Sequence, residues 1–124
     1  FHQLRGIERE IIEQMQTCGI FLALNIGKSP WGEGGPMTPQ EAMACGTVPV
    51  CFDLRGAWEF IQQGYNGIIT SKIRPELMAE AVISIHSQPG RLAEMSRRCV
   101  DITSSSHTME ARWDDVVKFL DLPE

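Results

Sequence analysis

Residues 31–50 read WGEGGPMTPQEAMACGTVPV, and the change of character inside this stretch decides the fold. Its first half is rich in glycine and proline, the composition of a loop. The chain then passes without a spacer into PQEAMAC, a helical segment that Gly46 ends. VPVCF follows, an apolar run short enough to be a buried strand. Upstream, IFLALN is a second such run and reads as a strand buried on both faces. Strand, loop, helix and strand in that order make parallel strands, because the helix returns the chain across the sheet in a right-handed crossover.

Working outward, IEREIIEQMQTCG places Ile7, Ile11, Ile12 and Met15 on one helical stripe that stops near Gly19. Downstream, RGAWEFIQQGYNG predicts a helix closed by the Asn66-Gly67 turn, and IIT predicts a third strand. Three further helices are expected over residues 74–88, 89–102 and 108–122, each with apolar residues at three- and four-residue spacing. The fold class is α/β: a partial Rossmann-like unit, a three-stranded parallel sheet flanked by helices. Three strands are few for this class, so residues 1–124 read as a single partial domain.

With 124 residues, 43% hydrophobic and 22% charged, the chain has the make-up of an ordinary globular domain. A net charge of -5 argues against a nucleic-acid surface, and Arg97-Arg98 is the only adjacent basic pair. Cys18, Cys45, Cys51 and Cys99 form no CxxC and no cluster with His2, His86 or His107, so zinc spacing is absent. Buried reduced thiols in a cytoplasmic protein, at most peripheral to a membrane in a longer parent chain, are the expectation. The chain opens on Phe1 rather than Met, which is compatible with an upstream region.

In parallel sheets ligands collect at the carboxyl ends of the strands, where loops lead into helix N-termini. The residue 31–35 loop lies at that edge. Thr38 as N-cap, Pro39 at the first helical position and Glu41 at the third compose a capping box. Free amides at such a helix start, with the positive end of its dipole, favour a phosphate, and Gly34 and Gly35 allow close approach to the backbone.

Glu33, Glu41, Ala42, Met43, Ala44, Gly46, Pro49, Val50, Glu59, Gly64, Asn66 and Gly67 fall in a register that resembles the C-terminal, donor-binding Rossmann domain of the group 1 (family 4) retaining glycosyltransferases, whose fold has two Rossmann domains. In that family a Glu, seven residues and a second Glu precede an Ala-Met-Ala-x-Gly helix. The likeness covers residues 18–70 and, more loosely, the helices beyond. It implies a nucleoside-diphosphate-sugar donor, an acceptor of unspecified kind, no metal or other cofactor, and an N-terminal domain not contained in these residues. By the same likeness Glu33 meets the sugar as the catalytic carboxylate and Glu41 binds the ribose hydroxyls. The amides of Gly34, Gly35, Met37 and Thr38 hold sugar and phosphates. Two departures accompany it. Gly35-Pro36 stand where the family has Phe-Gly, and Pro36 has no amide hydrogen to donate. The family's Arg and Lys for the diphosphate have no defensible match, Lys28 and Arg55 included.

Each residue also has a structural reading. Glu41 suffices as a cap, Glu33 as a solvated loop carboxylate, and Glu59 as an exposed helical residue. Trp31 fits either a lid or a ring folded on the core. Met109, Trp113, Val116, Val117 and Leu120 read as the packing face of the last helix. The alternative to a transferase is therefore a non-catalytic α/β module binding a nucleotide or a protein. Finally, residues 20–24 contain no charge or proline, so without an earlier strand beside them they form an apolar edge. Such an edge is expected to pair with a second copy as a homodimer or to be covered by the chain's own N-terminal residues.

Overall fold

The parallel sheet read from residues 20–70 is present in the computed structural model, which describes residues 8–24, 37–53, 56–71 and 73–120. The order is α1 (Glu8–Thr17), β1 (Ile20–Ala23), α2 (Met37–Ala44), β2 (Val48–Phe52), a 3₁₀ turn (Ala57–Glu59), β3 (Ile68–Thr70), α3 (Pro75–His86), α4 (Arg91–Ser106) and α5 (Met109–Leu120). Strands lie in the order β1-β2-β3. Ile20 pairs with Val48 and Val50 with Ile68, both ladders parallel. The α/β class, with three parallel strands between helices, is as expected.

Burial follows position in the sheet. Every residue of the central β2 is buried, because it has a strand on each side and helices against it: α2, α3 and α4 all touch it. β1 was expected to be buried on both faces, yet Ile20, Phe21 and Leu22 are only half-buried and Ala23 alone is enclosed. It has one strand neighbour among the described residues. Around β2 the core gathers Met43 from α2, Met78 and Ile85 from α3, and Met95 and Cys99 from α4. All four cysteines are free, and burial pushes the Cys51 and Cys99 thiols up to about 12.

Polar side chains join the elements. Thr47 Oγ1 donates to Met15 O at the end of α1, and Ser96 Oγ of α4 donates to Gly46 O at 2.6 Å. The expected helix over residues 55–67 shrinks to the 3₁₀ turn. Asn66, fully buried, explains why: its Oδ1 accepts from Gln62 N at 2.7 Å and its Nδ2 donates to Phe60 O at 2.9 Å. Backbone groups that a helix would have used are taken by a side chain instead. Gly67 then passes so close to β2 that a Cβ there would sit 2.8 Å from Pro49 O.

Two other expectations change. α2 begins at Met37, so Thr38 and Pro39 occupy its first turn and the box of Thr38, Pro39 and Glu41 is displaced. Proline is tolerated there because first-turn amides have no intrahelical acceptor. The apolar stripe of α5 does not pack inward: no α5 residue is buried, and Trp113 is 62% exposed. Thr108 Oγ1 caps this helix by accepting from Ala111 N at 3.1 Å.

Candidate functional site

Parallel strands put the exits of β1, β2 and β3 on one edge of the sheet. The chain enters α2 from that edge, so the first turn of α2, the segment after Phe52 and the approach to α3 are neighbours by topology. α2 is anchored by one face: Pro39, Ala42 and Met43 are buried. Thr38 and Glu41, three residues apart, lie on the other face and are exposed. The helix therefore holds a hydroxyl and a carboxylate toward solvent at its amino end, beside amides without intrahelical acceptors.

Glu41 borders an open groove of about 450 Å³ formed where α1 and α2 lie together. Ile11, Ile12 and Met15 of α1 supply its apolar wall, with Glu8 at the rim and Cys45 on the α2 side. Burial, and then the negative charge of Glu41, raise the Cys45 thiol above its ordinary value. An apolar wall beside a carboxylate can hold a flat or apolar group while the carboxylate accepts from paired hydroxyls.

Of the residues singled out from sequence, Met37, Thr38 and Glu41 stand together on the first turns of α2. Glu33, Gly34, Gly35, Lys28, Trp31, Pro36 and Arg55 lie outside the described residues. Glu59 is exposed and lines not the Glu41 groove but a second one, of about 580 Å³, with Gln62, Ser105, His107, Arg112 and Lys118. Burial, and then Arg112, lower the His107 pKa. Among the described residues no three His, Cys, Asp or Glu side chains converge on a metal position, and no helix is long and apolar enough to cross a membrane.

The sequence reading passed over Asp53 and Trp58. Trp58 Nε1 donates to Asp53 Oδ1 at 2.7 Å, just beyond the carboxyl end of β2. The available signal was a tryptophan soon after a strand on the ligand-binding edge.

The sequence profile of a family described as "Glycosyl transferases group 1" matches residues 2–103. The chain is also similar to an N,N'-diacetylbacillosaminyl-diphospho-undecaprenol alpha-1,3-N-acetylgalactosaminyltransferase of Campylobacter jejuni subsp. jejuni, 35% identical over 63 residues. That match takes in 51% of this chain and 15% of the relative, so the chain spans a small part of the protein it resembles. No solved structure matches. With the profile running from the N-terminal residues through β1, α2, β2 and β3 into α4, the chain belongs to the group 1 glycosyltransferases.

Proposed function

We propose that this chain is the donor-binding portion of a retaining glycosyltransferase that uses a nucleoside-diphosphate sugar. The observation that supports the reading most is the placement of Glu41 on the solvent face of α2, at the carboxyl edge of the sheet and over an open groove. In this reading Glu41 accepts hydrogen bonds from both ribose hydroxyls, as one carboxylate can from a vicinal pair. The amides of Gly34, Gly35, Met37 and Thr38 hold the sugar and diphosphate, and the positive end of α2 stabilises charge as the diphosphate leaves. Glu33 serves the sugar at the reacting carbon. No metal takes part.

The rest of the acceptor site and the remaining walls of the cleft come from parts of the protein beyond these residues. Transfer requires donor and acceptor in near-attack geometry, so the 124-residue chain binds nucleotide without turning it over. The uncharged β1 edge pairs with a second copy when the chain is alone. Calorimetric titration of the chain with uridine and guanosine diphosphates tests the reading. Saturable, roughly millimolar binding of either, with no sugar transferred from the corresponding sugar nucleotide, is expected. Absence of binding to both would favour the non-catalytic module.

A further inference from the structure

The segment leaving β2 carries an aromatic residue that the donor reading leaves unused. Trp58 is 56% exposed, although a tryptophan ring ordinarily gains from burial. Its position is nonetheless fixed. Gly56, at φ 87°, opens the 3₁₀ turn that carries the ring; Ala57, Phe60 and Ile61 of the same segment are buried; and Asn66 holds Phe60 O and Gln62 N. Asp53 accepts the indole N–H at 2.7 Å, so the ring has no polar group left to offer. What remains open to solvent is an aromatic surface on a rigid mount, at the edge where α2 also begins.

An aromatic surface with its one donor already engaged suits a ligand that is apolar on a face and polar around its rim. A pyranose ring is such a ligand: its axial C–H bonds form an apolar face, and its hydroxyls project outward. We infer that Trp58 is a stacking platform for a pyranose ring, supplied by either the donor or the acceptor, with Asp53 as the residue that positions the indole. This rests on the reading of the chain as a sugar-nucleotide binder. Because the mount is in place before ligand arrives, little ordering entropy opposes stacking.

The test follows the indole N–H resonances of the whole chain, that of Trp58 being assigned by its loss in Trp58→Phe. Ligands are uridine and guanosine diphosphates, their glucose, galactose and 2-acetamido sugar conjugates, and the methyl pyranosides of the same sugars. A saturable shift of the Trp58 signal with a sugar-bearing ligand, absent with the bare diphosphates, is expected. A response to sugar nucleotides alone identifies the donor sugar, and a response to methyl pyranosides alone identifies the acceptor. Trp58→Ala should weaken the responding ligand about tenfold and leave diphosphate affinity and melting temperature unchanged, while Trp58→Phe retains most of the affinity. An unmoved Trp58 signal with every sugar, or unaltered sugar affinity in Trp58→Ala, would overturn the platform. Methyl pyranosides that shift Trp58 where no diphosphate binds would uphold it and remove the donor reading instead.

Discussion

The two edges of the sheet are finished differently. On the outer side of β3, Ile69 turns its backbone away from β2, and the Gln63 carboxamide meets it: Ile69 N donates to Gln63 Oε1 at 2.7 Å and Gln63 Nε2 donates to Ile69 O at 3.0 Å. One side chain replaces the missing strand. On the outer side of β1 nothing comparable stands among the described residues. Val48 N donates to Gly19 O, so by alternation Ile20 and Leu22 direct their backbone groups away from β2. A groove of about 400 Å³ lined by Leu22, Leu24, Phe52, Met78, Val82 and Ile83 runs beside them. β3 ends the sheet, and among the described residues β1 leaves it open. The helices that form the candidate site, α1 and α2, flank the open end in sequence.

The comparison can be broken most severely at the closed end. Asn66→Ala removes two internal hydrogen bonds and leaves Phe60 O and Gln62 N without a partner, with Cys99 Sγ packed against Asn66 O. A loss of about 3 kcal/mol in denaturant unfolding is expected, since each stranded buried group costs about 1–3 kcal/mol. A loss below about 1 kcal/mol would show that the 57–66 segment is held by other contacts.

Gln63→Ala strikes the same edge more gently. Its bonds are partly open to water, which can replace them, so about 1 kcal/mol is expected. Sedimentation gives the sharper reading: if closure of β3 guards against self-pairing, the variant associates at lower concentration than the parent chain. Unchanged association would confine Gln63 to a local role.

Leu22→Lys should change stability least, because Leu22 is only half-buried and a lysine stem can lie along the apolar groove with its charge in water. Its effect belongs to assembly. The parent chain is expected to sediment as a concentration-dependent dimer through β1, and the variant as a monomer, since charge on an edge strand opposes pairing. A parent chain that is monomeric at every concentration would remove the dimer and leave the open edge to another cover.

Much of this architecture was legible in the sequence because apolar runs and helical periodicity are local signals: β1, β2, β3 and the helices α1, α3, α4 and α5 lie where their patterns place them. The misreadings occur where long-range contacts override the local pattern. Ala57, Phe60 and Ile61 have helical spacing, but Asn66 claims the backbone groups that a helix would need. The 109–120 stripe has the spacing of a packing face, and spacing alone does not say whether a surface to pack on is present. Glu41 stands out in the sequence through its register with the family, and its solvent-facing placement on α2 could come only from the fold. Trp58 and Asp53 were harder to read for a different reason: a link between residues five apart matches neither helical nor strand periodicity, and a tryptophan soon after a strand was the only hint.

The central claim is that the amino end of α2 is a nucleotide site and Glu41 its ribose ligand, and Glu41→Gln tests it most directly. Gln keeps the size, the helix propensity and the solvent-facing position, so unfolding free energy should stay within about 0.5 kcal/mol of the parent chain. The charge is lost, and one acceptor oxygen becomes an amide donor. Because a hydrogen bond to a charged group is worth about 1.5–3 kcal/mol against about 0.5–1.5 for a neutral one, calorimetry should find nucleoside-diphosphate affinity lowered about tenfold. Equal affinity in the two proteins, with the fold intact in both, would contradict the claim.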